Sequence, residues 1–405
     1  MNKTTQQSNE ALIKEGTALF TPTYSQLPLV LDGGKECYVK DIEGNYYLDF
    51  TAGIAVNILG YGNEGYEAAL IDTIKKGMVH SSNIYWNKNE IDVAKKLVTL
   101  SQMDQVFFCN SGTEANEAAL KLARKYGKNT GRNGVISMKE SFHGRTFGAL
   151  STTGQIKYQK NFYPLLGDVS YATFNDLASV HNLVDSNTCA IIVEPLQGEG
   201  GIIPATKEFL QGLRKIADEQ DLILIFDEVQ CGMGRTGKAF CYENFDVIPD
   251  VVTLAKALAG GIPTGAMITK GKANNILVAG DHASTFGGNL VAMAGASYIL
   301  DYLGDKEFLT SVKNKGAYLT DKLLTLKKKY PSAIEDVRGM GLMMGLVMKM
   351  APAPIIAECF THKLLILRAG TNVIRFVPPL IITEDEIDAG IAILDQAIAT
   401  CLKSK

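Results

Sequence analysis

Long apolar runs are missing from this sequence, so nothing in it predicts a membrane span, and its polar start, MNKTTQQSNE, lacks the apolar core of a signal peptide. A strong charge imbalance is missing as well. The formal net charge of −3 gives no electrostatic reason to expect nucleic acid or an acidic membrane as a partner. With 46% hydrophobic and 20% charged residues, the composition is that of a soluble globular protein.

Paired metal or disulfide ligands are also missing. The seven cysteines are scattered, odd in number and without a C-x-x-C pair, which indicates reduced thiols in a cytoplasm rather than a disulfide framework or a zinc site. The five histidines are isolated and show no ligand spacing. We therefore expect a cytoplasmic protein without a metal site.

What is present is a regular alternation of short apolar runs and helical patterns after Gly60. Such runs are typical of a mostly parallel sheet that helices cover on both faces. Before them, residues 27–50 alternate apolar and polar side chains around glycine turns, which predicts strands at a sheet edge. After about Asn289 the pattern turns helical, then adds two strands and a final amphipathic helix. The central apolar runs are QVFFCN, GVISM, CAIIVEP, LILIFDEV and DVVTLA.

These patterns predict an α/β fold with two domains. A large domain with a central, mostly parallel sheet would span residues 59–290. A small α+β domain would be built from both chain ends, residues 1–58 and 291–405. The sequence contains no internal repeat, low-complexity tract or charge run that would divide it further.

The stretch LILIFDEVQCGMGRTG ends in a match to the G-x-G-x-x-G dinucleotide fingerprint, from Gly232 to Gly237. In a dinucleotide fold the glycines close the strand directly, and phosphate lies at the N-terminus of the next helix. Here Asp227 and Glu228 separate strand from glycines, and their charges would repel phosphate. The segment before Pro249 is also too short for a crossover helix. A glycine-rich turn is therefore favoured over an NAD site.

An acid at the tip of a strand suits a different ligand. A carboxylate beside a pyridine nitrogen keeps that nitrogen protonated, which is how proteins tune pyridoxal phosphate. That cofactor also needs a lysine, and Lys256 interrupts the apolar segment DVVTLAKALAGG. Burial there would lower the pKa of the amine and make it a usable nucleophile. A lysine alone is more often a surface cap, but together with Asp227 it predicts a pyridoxal phosphate site.

The phosphate group of this cofactor needs an anion site. Ser111 and Glu114 open a helix with the S-x-x-E pattern of a capping box. The free amides of Gly112 and Thr113, together with the helix dipole, would favour an anion at this helix end. An ordinary well-capped helix remains the alternative for this motif taken by itself.

Two further strand ends carry suitable side chains. After GVISM, Phe142 could lie on a flat aromatic ring and Arg145 could pair with a carboxylate, although a core phenylalanine and a surface ion pair are commoner. After IIVEP come Glu194, Gln197 and Glu199 among glycines. In open α/β sheets, ligands bind at the carboxyl ends of strands. Several strand ends with complementary chemistry therefore outweigh each separate alternative.

Taken together, these motifs resemble the class-III pyridoxal-phosphate aminotransferases, and among them the acetylornithine branch. The resemblance covers nearly the whole chain and implies a fold-type-I transferase. The motifs that carry it, in order, are YVKDIEGNYYLDFTAGIAVNILG, NSGTEANEAALKLAR, FHGRT, EPLQGEGG, FDEVQCGMGRTG, LAKALAGGIPTGA, STFGGN and VIRFVPPL.

The resemblance implies roles for the cofactor-binding residues. Lys256 would hold the cofactor covalently and later move the proton, and Asp227 would pair with the pyridinium nitrogen. Phe142 would stack on one face of the ring. Thr285 would reach the phosphate in the neighbouring subunit, so the resemblance implies a homodimer with shared active sites. The other implied cofactor-binding residues are Ser111, Gly112, Thr113, His143, Glu194, Val229 and Gln230.

For the substrates, the resemblance implies that Arg145 holds the far carboxylate of either one. Glu199 would mask Arg375 in one half-reaction and swing away in the other, with a static ion pair as the alternative. Tyr24 would contact substrate, and Ser284 would lie near the substrate of the neighbouring subunit.

The implied reaction joins N2-acetyl-L-ornithine and 2-oxoglutarate and yields N-acetyl-L-glutamate 5-semialdehyde and L-glutamate, a step of arginine biosynthesis. His143 favours this donor, because ornithine δ-aminotransferases usually carry tryptophan in that position. Ornithine, succinylornithine, acetyl-lysine and 4-aminobutyrate remain open as donors. Residues 61–70 depart from the family's usual turn, and we expect them near the domain junction.

Overall fold

A computed structural model describes residues 8–403 of the chain. Its strands form one seven-stranded sheet, two four-stranded sheets and one two-stranded ribbon. The strands are β1 Leu31–Lys35, β2 Tyr38–Asp41, β3 Tyr46–Asp49, β4 Gln105–Cys109, β5 Gly134–Met138, β6 Val169–Ala172, β7 Thr188–Val193, β8 Leu196–Gln197, β9 Ile203–Pro204, β10 Ile223–Asp227, β11 Val251–Leu254, β12 Gly265–Thr269, β13 Ile334–Met340, β14 Met343–Met348, β15 Leu364–Leu365, β16 Leu367–Ala369 and β17 Val373–Phe376.

The helices lie between these strands and at both ends of the described range. Three of them, α2, α7 and α8, are single short turns. The α-helices are α1 Asn9–Leu19, α2 Ala52–Ala55, α3 Glu64–Lys75, α4 Lys88–Ser101, α5 Gly112–Gly127, α6 Phe147–Thr152, α7 Ile156–Gln159, α8 Leu177–His181, α9 Lys207–Glu219, α10 Leu290–Gly304, α11 Lys306–Lys329, α12 Pro352–Thr361 and α13 Glu384–Lys403.

The seven-stranded sheet has the order β4-β12-β11-β10-β7-β5-β6. Only β12 runs against the others, since it pairs antiparallel with both β11 and β4. The mostly parallel central sheet is therefore confirmed. Because the remaining strands point the same way, the segments that follow β4, β5, β7, β10 and β11 all emerge at one edge.

Helices on the sheet explain why its inner strands are apolar along their whole length. Every residue of β5, β7, β10 and β11 is buried. Helix α5 contacts β7, β11 and β12, and α9 contacts β7 and β10. Strands that are covered on both faces need no polar alternation.

The two ends of the chain meet in a second region. Strand β15 adds parallel to β3 and so extends the β1-β2-β3 sheet with residues from the C-terminal part. The other four-stranded sheet has the order β13-β14-β17-β16. Helices α11 and α13 pack together beside it. The division into residues 1–58, 59–290 and 291–405 stays a prediction, which this joining of both ends supports.

Two further observations concern the whole described range. No helix within residues 8–403 combines the length and apolar character that a membrane crossing requires. All seven cysteines are unpaired, and only Cys401 is not fully buried.

Candidate active site at the carboxyl edge of the central sheet

A cavity of about 410 Å³ opens at the carboxyl edge of the seven-stranded sheet. Its volume falls in the range of small-molecule sites. Its walls come from the segments that follow β4, β5, β7, β10 and β11, as the direction of the strands requires. The sequence-predicted residues that line it are Ser111, Gly112, Thr113, Phe142, His143, Arg145, Glu194, Asp227, Val229, Gln230 and Lys256.

Five predicted residues do not line this cavity. Tyr24 is 79% exposed, in the segment after α1. Thr285 is exposed and Ser284 half-buried, on the loop before α10. Glu199 and Arg375 lie behind Gln230, which lines the cavity and accepts a hydrogen bond from Arg375. The structure of one chain therefore brings most of the predicted residues together but leaves Tyr24 and Thr285 apart from them.

The carboxylate of Asp227, the last residue of β10, is held from several sides. Its Oδ1 atom accepts a hydrogen bond from the Val229 amide at 3.0 Å. Its Oδ2 atom accepts from Asn116 Nδ2 at 2.8 Å and lies 2.7 Å from His143 Nδ1. Hydrogen bonds to a charged oxygen are the stronger kind. The orientation of this carboxylate toward the cavity is therefore closely restrained.

Asn116 is a site residue that sequence reasoning missed. Its Nδ2 atom also donates to the His143 carbonyl at 2.7 Å, and its Oδ1 atom accepts from the Thr253 hydroxyl at 2.7 Å. The side chain thus links α5, β11 and the loop after β5 around Asp227. A signal was available, because Asn116 lies inside the apolar stripe of α5 and a buried amide needs partners.

Glu228, the acid next to Asp227, has a different environment. It is fully buried and accepts hydrogen bonds from the amides of Cys241 at 2.7 Å and Tyr242 at 2.6 Å. Burial raises the pKa of Glu228 to about 8. Adjacent side chains of a strand point to opposite faces. Of the two acids, only Asp227 therefore faces the cavity, and Glu228 secures the loop that follows.

The glycines of the fingerprint lie in that loop. Gly234 and Gly237 have φ values of +85° and +83°, which only glycine adopts without strain. The next regular element is a short 3-10 turn, Cys241–Asn244, and not a helix. This fully described segment therefore lacks the helix N-terminus on which a dinucleotide phosphate would rest.

Lys256 follows β11 and projects into the cavity from a strained backbone, with a φ of +47°. Left-handed conformations of this kind cost about 1–3 kcal/mol in a non-glycine residue and concentrate at functional sites. Among residues 8–403, the amine makes no hydrogen bond or ion pair. Burial lowers its pKa below the ordinary value, and the Glu199 carboxylate offsets this only in part. A neutral amine is the nucleophilic form.

The N-terminus of α5 supplies donors at another wall of the cavity. Ser111 Oγ accepts from the Glu114 amide at 3.3 Å, which is one half of the predicted capping box. The Glu114 carboxylate accepts instead from the Asn110 amide at 2.6 Å, one residue before the cap. Ser111 therefore caps the helix as predicted. The Glu114 carboxylate, however, bonds to the amide of Asn110 and not to that of Ser111, which a full capping box would require.

The amides of Gly112 and Thr113 make no hydrogen bond with any described residue, as the first turn of a helix leads one to expect. A Cβ atom on Gly112 would lie 2.7 Å from Val229 Cγ1, so only glycine allows this close approach. Free amides at a helix N-terminus bind anions. This part of the cavity can therefore hold a phosphate group.

Glu194 links two walls of the cavity. Its Oε2 atom accepts from the Phe142 amide at 3.0 Å, and its Oε1 atom accepts from the Gly198 amide at 3.2 Å. Burial raises the pKa of Glu194 to about 7, although His143 and both amides act against the shift. The group can therefore carry or release a proton near neutral pH, and it fixes the backbone that presents the Phe142 ring.

Arg375 lies in the middle of β17 and is almost fully buried. Its Nη1 atom donates to the Glu199 carboxylate and, at 3.1 Å, to Gln230 Oε1. Burial alone would raise the pKa of Glu199, but the Arg375 charge and hydrogen bond outweigh it, and the pKa falls below its ordinary value. The predicted pair is therefore formed, directly behind a cavity residue.

Val56 adds an apolar part of the wall that sequence reasoning missed. It follows α2, whose four residues all have φ values between +47° and +64°. This left-handed turn is costly for the non-glycine residues. The Tyr61 hydroxyl braces the segment, since it donates to Asp49 at 2.6 Å and accepts from Asn57 at 3.2 Å. Tyr61 itself lies outside the cavity.

The donor set fits pyridoxal phosphate. The cavity combines an unpaired lysine, a restrained carboxylate, an aromatic ring and the free amides of a helix N-terminus. Those are the groups that an aldehyde, a pyridine nitrogen, a flat ring and a phosphate require.

Comparison with known proteins agrees with this chemistry. The class-III aminotransferase family model matches residues 19–398. The acetylornithine aminotransferase of Clostridium acetobutylicum is 49% identical over 380 residues, covering 93% of this chain and 98% of that protein.

Two solved structures have the same fold. N-acetylornithine aminotransferase from Stenotrophomonas maltophilia superposes with a TM-score of 0.83 at 34% identity, covering 96% of this chain and 100% of that one. Ornithine aminotransferase from Toxoplasma gondii superposes with a TM-score of 0.94 at 27% identity, covering 99% and 97%. The similarity therefore extends over the whole architecture.

Proposed function

The chain belongs to the class-III aminotransferases, and we propose that it moves the ω-amino group of N2-acetyl-L-ornithine to 2-oxoglutarate. The products are N-acetyl-L-glutamate 5-semialdehyde and L-glutamate, as in arginine biosynthesis. One observation carries the proposal: an unpaired Lys256 amine and a restrained Asp227 carboxylate line the same cavity. The similarity to acetylornithine aminotransferases supports the choice of donor.

The enzyme uses pyridoxal 5′-phosphate, the cofactor of its family. When bound, the cofactor accepts the amino group and withdraws electrons from the carbon that bore it. Lys256 would hold it covalently, and Asp227 would face its ring nitrogen. Phe142 would cover the ring. The amides of Gly112 and Thr113 would hold the phosphate.

Proton transfer falls to Lys256 in this proposal. Its lowered pKa favours the neutral amine, the form that can take a proton from the reacting carbon and return it elsewhere. The hydrogen bonds from Asn116 and Val229 keep the Asp227 carboxylate in place during this transfer. A restrained charge stabilises developing charge without further reorganisation.

Two chemically different substrates must use this one cavity. The reacting end of the amine carries no carboxylate, whereas that of 2-oxoglutarate does. We assign Arg375 to the second carboxylate and Glu199 to its masking while the amine is bound. The Glu199–Arg375 ion pair supports this assignment. Arg145, exposed at the cavity, would hold the far carboxylate of either substrate.

A homodimer with shared active sites is also part of the proposal. The loop before α4 exposes three adjacent large apolar residues, and Trp86 is 89% exposed. Contiguous exposed apolar surface of this kind marks interaction sites. Thr285 and Tyr24, which stand apart from the cavity of their own chain, would reach the neighbouring one, with Ser284 beside its substrate. We place the dimer in the cytoplasm, as the unpaired thiols suggest.

An absorbance titration of the purified holoenzyme tests the function. We expect N-acetylornithine to remove the yellow absorption at a much lower concentration than ornithine does. Succinylornithine, acetyl-lysine and 4-aminobutyrate complete the series of donors. Bleaching by ornithine alone would move the protein to the ornithine branch. A protein that gains no yellow absorption with added pyridoxal phosphate would contradict the assignment of Lys256.

A further inference from the structure

The Arg145 guanidinium has few contacts that could orient it. Within residues 8–403 it makes no hydrogen bond and no ion pair. Its carbon atom Cζ lies 4.0 Å from the centroid of the Tyr158 ring and 5.4 Å from that of Phe142. A cation within about 6 Å of an aromatic face is attracted to it. The nearer ring, Tyr158, is therefore the main contact that favours one position of this long side chain.

The Tyr158 ring is itself rigidly placed. It lies in α7, which is too short to be stable alone. The Nε2 atom of the buried Gln155 side chain donates to the carbonyls of Glu140 and Ser141 at 3.1 and 3.0 Å, which anchors the start of α7. The ring also meets Phe142 edge-on, with centroids 5.7 Å apart.

A second buried amide anchors the end of the same turn. Gln159 Nε2 donates to the carbonyls of Leu150 at 3.1 Å and Thr153 at 2.9 Å. Residues 140–153, to which both glutamines bind, include Phe142 and Arg145. The Tyr158 ring is therefore anchored to the same segment that carries Arg145. Fixed in this way, the ring can set the direction of the guanidinium relative to the cavity.

We propose that Tyr158 is a positioning residue, whose ring holds the Arg145 guanidinium in the orientation that receives the far carboxylate of each substrate. The inference rests on the proposed function, because it takes the substrate carboxylate as the partner of Arg145. The Lys157 ammonium lies 4.8 Å from the same ring and adds positive charge beside this position. The Tyr158 hydroxyl makes no hydrogen bond to a described residue, so the ring alone acts.

The test compares Tyr158→Leu with Tyr158→Phe in the holoenzyme. Leucine removes the aromatic face, and we expect KM to rise about three- to tenfold for both the amine and 2-oxoglutarate, with a smaller change in kcat. Phenylalanine keeps the face and should restore the wild-type KM. Phe162→Leu is the matched control, since it removes a nearby exposed ring that has no cation over it. If Tyr158→Leu does not fold, Tyr158→Met replaces it.

Two further measurements separate the inference from the function beneath it. An alkyl amine without a carboxylate should react equally well with wild type and Tyr158→Leu. If Tyr158→Leu loses as much activity with this amine as it does with the carboxylate substrates, the ring acts through the fold and the inference is overturned. Arg145→Gln should raise KM for both carboxylate substrates. If KM does not rise in Arg145→Gln, the proposed role of Arg145 is contradicted. If KM rises in Arg145→Gln but not in Tyr158→Leu, only the role of Tyr158 is refuted.

Discussion

Replacing Asn116 by aspartate should make the activity sensitive to pH, because the change puts a second carboxyl group beside Asp227. The two side chains are the same size. The Asn116 Nδ2 atom that now donates to Asp227 at 2.8 Å would become a carboxyl oxygen. The other oxygen can still accept from the Thr253 hydroxyl. The perturbation falls on the two contacts of this atom, with Asp227 and with the His143 carbonyl at 2.7 Å. A group with two N–H donors becomes one that donates only while protonated, and then to one partner at a time.

The distance between the two groups gives the size of the expected pKa shift. Two unit charges 2.8 Å apart repel by about 6 kcal/mol at an effective dielectric constant of about 20. That energy would carry the pKa of the new carboxyl from about 4 to about 8. A charged His143 or Lys256 would lower this value, and an ionised Glu194 would raise it. Near neutral pH the pair therefore keeps one proton, and the new carboxyl donates to Asp227 as the amide did.

The sign of the effect follows from this proton. Below the raised pKa, Asn116→Asp keeps the donor to Asp227 and loses only the hydrogen bond to the His143 carbonyl, so it should retain more of the wild-type kcat/KM than it does above that pKa. Above it, both carboxylates are charged and move apart, Asp227 loses its donor, and kcat/KM should fall at least tenfold relative to wild type. Initial rates from about pH 6 to about pH 9.5, expressed as the ratio of variant to wild type, measure the fall. Taking this ratio removes the effect of groups that titrate in both proteins.

Asn116→Ala is the control for this experiment. Alanine cannot donate at any pH, so its ratio to wild type should be low and constant. A ratio for Asn116→Asp that does not change with pH would refute the reasoning, since the contact with Asp227 would then carry no energy. Thermal unfolding of both variants shows whether the fold is kept, because each lost hydrogen bond to a charged group costs about 1.5–3 kcal/mol.

Three other outcomes are expected. Lys256→Ala should lower single-turnover rates by about 10²–10⁴-fold and abolish the borohydride-fixed mass increase on the peptide that carries residue 256. Glu199→Gln leaves Arg375 charged and unmasked, so stopped-flow measurement should show a slower amine half-reaction and a nearly unchanged 2-oxoglutarate half-reaction. The pKa of Glu228 is raised from 4.5 to about 8 in the folded protein, so its contribution to stability falls as pH rises through that window. Urea unfolding at several pH values should show a flatter pH dependence in Glu228→Gln, and an unchanged slope would contradict the raised pKa.

Most of the central sheet could be predicted from the sequence. Five of its strands are apolar runs, and four of them, β5, β7, β10 and β11, are buried along their whole length because helices cover the sheet on both faces. The other two, β6 and β12, were not among the predicted strands. Strand β6 is the outermost strand on one side of the sheet and is only half-buried over most of its length. Strand β12 runs against its neighbours, and a short apolar run carries no information on direction.

The chemistry of the site was also predictable where it followed a strand end. Parallel strands bring their carboxyl ends to one edge, so Asp227, Lys256 and the cap at Ser111 were expected to meet there, and they line one cavity. Asn116 and Tyr158 were not predicted. Each acts through a contact with another segment, and a single buried amide or aromatic residue looks like part of the core until that contact is known.

The sequence by itself determined the class of fold and the kind of chemistry, because strand periodicity, caps and strand-end residues are local properties. Tertiary structure decided the partners, and the pairing of Glu199 with Arg375 was implied beforehand only by the resemblance to the family. Glu199 and Arg375 are 176 residues apart, and their ion pair depends on how β17 packs against the large sheet's loops. Asn116 and Asp227 are 111 residues apart. Such contacts arise from the packing of whole layers. The free energy of that packing is distributed over many residues, so no short sequence pattern predicts it.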